Sequence, residues 1–246
     1  MENDQQNFSS KETYEQKRQA KEAAKKTQNK GRSSRRVIRW LVFILGLGLL
    51  IWGMVKIGGG NTPDSGGPAE LPKEILAGEW SQGLETAPLT LIEYADFQCP
   101  ACASYHPLIQ QLQTEFGDKL RFGFRHFPLR SIHKNADAAA YAAEAASKQG
   151  KFWEMHNMIF ENQDEWSSQR NPEDKFVGYA RSLNLDEDRF KTDLDSDEIK
   201  NKIDEAYNAA SKAGLTSTPT FILNGTRIQP RNYEEFKTFL DQKLAQ

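Results

Sequence analysis

The chain has 246 residues, 27% of them charged and 38% hydrophobic, with a formal net charge of −2, enough for one or two domains with a real core. Two cysteines and four histidines without paired spacing fall short of the four good ligands that tetrahedral zinc needs, so a metal site is not expected. The near-neutral total hides an asymmetry: residues 1–36 hold ten Lys/Arg against five Asp/Glu, and residues 57–246 hold twenty against twenty-nine.

Residues 1–36 are polar and rich in Lys, Gln and Ala, with few apolar side chains beyond Phe8 and Tyr14. Such a stretch buries too little surface to fold alone and reads as a disordered basic tail. Its run from Lys25-Lys26 to Arg35-Arg36 looks like a nucleic-acid patch, but the next segment gives a better reason for the charge, and no nucleic-acid partner is expected. Residues 37–57 carry no charge from Trp40 to Val55 and match the roughly 20 residues that span a lipid bilayer. The long leading region and the lack of a small-x-small site argue against a cleaved signal peptide. Lys30, Arg32, Arg35, Arg36 and Arg39 crowd one side, so the positive-inside bias places the N-terminus in the cytoplasm. The expectation is a single-pass anchor in the cell membrane with an extracytoplasmic domain, where a disulfide persists. Residues 58–72, rich in Gly and Pro, read as a flexible linker, and 73–246 as the folded domain.

Glu79-Trp80-Ser81 reads as a short first strand and Leu89–Ala95 as a buried one with a single acid, Glu93. Desolvation would raise the pKa of an acid inside such a strand, as a general acid/base requires; the alternative is a Glu93 facing solvent on an edge. Next comes Asp96-Phe97-Gln98-Cys99-Pro100-Ala101-Cys102, and then apolar residues at helical spacing (Leu108, Ile109, Leu112, Phe116). The C-x-x-C thus lies between a strand and a helix, where free N–H groups and the helix dipole favour a thiolate at Cys99. Pro100 suits the first helical turn. A structural disulfide here would close a minimal loop and constrain the unfolded chain very little. Redox chemistry is the stronger reading. His106, one turn beyond Cys102, is expected on the helix surface, with thiolate stabilisation as the lesser reading. His126, His133 and His156 are expected to be structural.

Lys119–Phe127 alternates as a further strand and Pro128 ends it. Helical patterns follow over 135–148, 151–162, 173–182, 186–194 and 199–213, with Asp186 as an N-cap. Trp153, Met155 and Phe160 fall at core spacing rather than as a groove lining. Pro219–Leu223 and Thr226–Ile228 flank Asn224-Gly225, a strong hairpin signal, and Tyr233–Leu244 closes the chain as an amphipathic helix. The fold class is α/β: a βαβ unit, a helical block over 134–213, and a ββα unit.

Three stretches together resemble the DsbA-like thiol–disulfide oxidoreductases of the thioredoxin superfamily, and within them the membrane-anchored BdbD-like branch. They are Ile92–Cys102; Arg125-His126-Phe127-Pro128-Leu129 through Asn135-Ala136 to Gly150-Lys151-Phe152-Trp153; and Ser217-Thr218-Pro219-Thr220-Phe221 with Asn224-Gly225. The resemblance covers 79–244 and implies a thioredoxin fold with an inserted helical subdomain. It also implies Cys99 as the exposed nucleophile, Cys102 as the buried resolving cysteine, and Glu93 as the acid that exchanges protons with Cys102. Thr218-Pro219 matches a loop whose proline is cis and packs on the disulfide, with the preceding backbone pairing with an extended substrate. Pro-Ala stands between the cysteines where better-known members have Pro-His, so no imidazole there helps hold the thiolate. Ser217 stands where relatives often carry glycine.

The activity so implied is donation of a Cys99–Cys102 disulfide to exported cysteine-containing proteins. A membrane quinone reductase of the DsbB or vitamin-K-epoxide-reductase type would reoxidise the pair. No organic cofactor is expected. The alternatives are the same site working as a reductase or isomerase, and a non-catalytic chaperone-like module that grips unfolded chains near Pro219.

Overall fold

The structure, a computed structural model, describes residues 72–246. The basic tail at 1–36, the membrane anchor at 37–57 and the linker up to residue 71 lie outside the described residues. Among the described residues no helix is long and apolar enough to cross a membrane.

Alternation and β-branched or aromatic content produce five strands: β1 (Trp80–Gln82), β2 (Leu89–Ala95), β3 (Leu120–His126), β4 (Thr220–Leu223) and β5 (Thr226–Ile228). They form one sheet in the order β1-β3-β2-β4-β5. β2 and β3 run parallel, as a crossover through helix α1 (Pro100–Phe116) requires, and the other pairs are antiparallel. β2 is therefore central. Glu93 pairs with Phe124 on one side and Phe221 on the other, which rules out the edge position.

The two-residue period of β2 divides the core. Leu89, Leu91 and Ala95 pack with Cys102, Ile109 and Leu112 of α1, whereas Ile92 and Tyr94 pack with Ile75, Phe127, Ala210 and Leu215. Glu93 shares the parity of Leu89 and Leu91, so its side chain lies on the α1 face. Leu112 is fully buried there, and burial of such a side chain contributes about 1.5–3 kcal/mol.

Between β3 and β4 lies the helical block: α2 (Ala136–Ser147), α3 (Phe152–Glu161), α4 (Gln163–Trp166), α5 (Glu173–Ser182), α6 (Glu187–Leu194) and α7 (Asp197–Lys212). Buried alanines along α2, among them Ala139, Ala142, Ala143 and Ala146, let α3, α5, α6 and α7 approach it closely. Asp186 caps α6 by accepting from the Asp188 and Arg189 N–H groups. Ser196 caps α7, which starts two residues before the first apolar residue of its pattern, Ile199. The four-residue α4 has no sequence periodicity to announce it.

The β4–β5 hairpin turns through Asn224 and Gly225, with φ of 46° and 80°. Asn224 also accepts from the Thr90 N–H and donates to the Pro88 carbonyl, tying the hairpin to the start of β2. Helix α8 (Tyr233–Leu244) then packs Phe236 and Leu240 into the larger cluster.

Candidate active site

Asp96, 1% exposed, turns the chain as it leaves β2. Its Oδ1 accepts from the Gln98 N–H at 2.7 Å, and its Oδ2 accepts from the Leu129 N–H at 2.8 Å and meets His133 Nδ1 at 2.6 Å. That turn delivers Cys99 to the N-cap of α1, with Pro100 in the first turn. Both cysteines are free thiols. Cys102 is fully buried and Cys99 is 7% exposed, so the expected exposed nucleophile presents only an edge to solvent.

The Thr218–Pro219 bond is cis, and the Thr218 carbonyl lies 3.5 Å from Cys99 Sγ. The loop before β4 is thus brought against the C-x-x-C. Cys99 has its pKa lowered to about 5, first by the hydrogen bond from the Cys102 thiol. Burial opposes the shift, while Thr218 and the Cys102 and Ala101 N–H groups at the helix start reinforce it. Cys102 moves the other way, well above its ordinary value, through burial, its hydrogen bond to Cys99 and the negative charge of Glu93 and Cys99. Glu93, 2% exposed and with Oε1 lacking any hydrogen-bond partner, is pushed up to about 8 by burial and then by the Cys99 charge. One C-x-x-C therefore holds a ready thiolate, a reluctant thiol and a neutral acid.

Sequence reasoning missed the groups that fix this turn from outside. Gln163 Nε2 donates to the Phe97 carbonyl at 2.7 Å and to the Cys99 carbonyl at 3.0 Å. Gln98 donates to the Ser167 carbonyl and accepts from the Asn135 N–H at 2.6 Å, while Asn135 Nδ2 donates to the Ser167 and Gln169 carbonyls. The helical block thus grips the active-site turn through three amides. Buried polar residues in amphipathic stretches were the only available signal.

His106 is not on the helix surface. It is 6% exposed, its pKa lowered chiefly by burial, with Nε2 3.9 Å from Glu161. His126 meets Glu144 at 3.0 Å, His133 meets Asp96, and His156 sits among Phe97, Phe124 and Phe160 with its pKa lowered by burial to about 3. Met155 and Phe160 are buried in the core and Trp153 packs against it. Among the described residues no group of three or more His, Cys, Asp and Glu is arranged to hold a metal ion.

A family model described as Thioredoxin matches residues 77–242. The chain belongs to the thioredoxin family. Within that fold, oxidised BdbD from Bacillus subtilis superposes with a TM-score of 0.64 at 23% identity, over 73% of this chain and 100% of that one. Wolbachia pipientis alpha-DsbA1 gives 0.61 at 24% identity, over 71% of this chain and 94% of that one. These likenesses bear out the DsbA-like thioredoxin fold with inserted helices. Among curated proteins, the Na(+)/H(+) antiporter NhaA 3 of Salinispora tropica is 40% identical over 154 residues, 62% of this chain and 23% of that protein. The chain spans about a quarter of the length of the curated relatives it matches, and the antiporter name describes those whole proteins.

Proposed function

We propose that this protein is a membrane-tethered, extracytoplasmic thiol–disulfide oxidoreductase that introduces disulfides into exported proteins. The observation that carries this reading is the placement of Cys99 at the N-cap of α1, 3.5 Å from the carbonyl of the cis Thr218–Pro219 bond, with Cys102 fully buried behind it; the opposed pKa shifts of the two thiols follow from that placement. A stabilised Cys99 thiolate is a better leaving group and makes the disulfide more oxidising.

In the oxidised protein a substrate thiolate attacks Cys99 Sγ, the Cys99–Cys102 bond breaks, and Cys102 leaves with the electron pair. Glu93, neutral below about pH 8, supplies the proton that Cys102 takes up. A second substrate thiolate attacks the substrate sulfur of the mixed disulfide and expels the Cys99 thiolate. The substrate loses two electrons and the cysteine pair gains them. Thr218 and Pro219 border this site, and the Thr218 backbone offers β-type pairing to an extended substrate. Reoxidation would fall to a membrane quinone reductase of the DsbB or vitamin-K-epoxide-reductase type, and tethering to residues 37–57.

Equilibration of the full chain with reduced and oxidised glutathione tests the direction. A potential near about −120 mV, that of a strong disulfide donor, supports the proposal; one near about −270 mV, that of thioredoxin, makes the protein a reductase.

A further inference from the structure

A second feature lies on the α1 face of β2, where Glu93 points. A cavity of about 520 Å³ is lined by the buried Glu93, His106 and His156 and by the half-buried Trp153 and Asn157. Gly83, Thr114, Gly117 and Asp118, all exposed, line it where it meets solvent. Three polar atoms of its lining, Glu93 Oε1, His106 Nε2 and His156 Nε2, are buried without a hydrogen-bond partner. A buried polar atom left unpaired is costly, so a cavity with three of them is a strong place for water. A water occupies roughly 30 Å³ of liquid and needs two to four polar partners, and this space provides room and partners for several.

The exchange chemistry gives such a passage a task. Cys102 is fully buried and Glu93 is 2% exposed, inside a strand paired on both sides. A proton moved between them must still travel to or from solvent before the next turnover. We propose that His106 and His156 hold a chain of water that carries protons between Glu93 and the solvent mouth at Thr114 and Asp118. The inference rests on the exchange reading above and adds the route by which its acid is recharged.

The histidines suit the role as neutral rings, each with one donor and one acceptor nitrogen, able to order water without trapping the proton. Burial lowers the pKa of both, that of His156 to about 3, while Glu161 opposes the shift at His106, and Asn157 Oδ1, 3.0 Å from His156 Nδ1, fixes one end of that ring. The titratable groups around them are Glu161 on α3, 3.9 Å from His106 Nε2, His126 on β3, Glu93 on β2 and Asp118 at the mouth. Their rings lie 5.3 Å apart, so the two act on one body of water. Both are positioning residues.

The test separates two steps in one experiment. Reduced protein is mixed rapidly with oxidised glutathione from pH 5 to 9. Cys99 thiolate first attacks the glutathione disulfide and expels one glutathione. Cys102, giving its proton to Glu93, then attacks Cys99 Sγ of the mixed disulfide and expels the second. Acid quenching and mass measurement follow each species. His106→Phe, His156→Phe and the mouth plug Thr114→Trp should leave the first step unchanged and slow the second about tenfold. In His106→Gln and His156→Gln, which keep a polar atom in the cavity, the second rate and its pH profile should return toward the parent's. Equal second-step rates and an unchanged pH profile in folded His106→Phe, His156→Phe and Thr114→Trp would overturn the passage. Glu93→Gln separates the two claims. If it slows the second step while these three variants do not, only the passage fails; if it too has no effect, the proton role of Glu93 fails with it.

Discussion

Two glutamates are buried almost equally in this domain and end in opposite states. Glu93 is 2% exposed and Glu144 is 1% exposed, yet Glu93 is pushed up to about 8 and Glu144 is lowered to about 2. Burial pushes both upward; the neighbours decide. Glu144 is met by His126 at 3.0 Å, Lys202 at 2.6 Å and Trp80 Nε1 at 2.6 Å, and His126 and then Lys202 outweigh the desolvation. Glu93 has an unpaired oxygen and, as the charge that raises it further, another potential anion, Cys99. A carboxyl whose every oxygen is matched holds a structure together. One left unmatched beside thiols is available for proton transfer.

Breaking the matched site should have the largest effect. Glu144→Leu leaves Lys202, His126 and Trp80 without their acceptor and should cost about 3–5 kcal/mol, read from denaturant midpoints. Replacing Glu144, His126 and Lys202 together with apolar residues of similar volume should recover much of that loss. If the single variant unfolds at the same denaturant concentration as the parent, the matched-site account is wrong.

Glu93→Gln sharpens the contrast because its two effects have opposite signs. Resolution of the mixed disulfide should slow by about a hundredfold, a general acid/base loss. Stability should rise. The folded Glu93 pKa, about 8, lies above its ordinary 4.5, so unfolding releases a proton between those values and the parent loses stability as pH rises through that window. The advantage of Glu93→Gln should therefore grow from pH 4.5 to 8 and level off above it, in melting temperatures recorded across that range. A constant gap between the two proteins would remove the raised pKa.

Glu144 should show the mirror image. Its folded value, about 2, is below the ordinary 4.5, so its stabilisation is complete above 4.5 and is lost as pH falls toward 2. The stability gap between the parent and Glu144→Gln should narrow over that acid range. A smaller effect, about 1–2 kcal/mol, is expected for Gln163→Leu, which strips two donors from the Phe97 and Cys99 carbonyls. Hydrogen exchange at residues 97–102 should report the loosened turn, with the sheet unchanged.

What the sequence made legible was local. The strand before the cysteines, the Asn224-Gly225 hairpin and the Asp186 cap follow from neighbours a few positions apart, and each stands where the pattern placed it. The C-x-x-C at a helix N-terminus is of the same kind. The rest depended on partners far along the chain. Glu144 reads as an ordinary acid in an alanine-rich helix until Lys202, 58 positions on, arrives beside it. Gln163 holds the Cys99 carbonyl from 64 positions away. His106 reads as a surface residue because spacing along α1 cannot tell that α3 will cover it with His156 and Phe160. Long-range polar pairing leaves no periodic trace.

The most direct test of the central claim is the pH titration of the Cys99 thiolate in the reduced protein, followed by absorbance at 240 nm and by the rate of alkylation. The asymmetry of the cysteine pair predicts one thiolate appearing with a midpoint near 5 while the second thiol stays protonated well above 9. Two thiols titrating together near the ordinary value of 9 would contradict it, and with it the reading of Cys99 as the reacting sulfur.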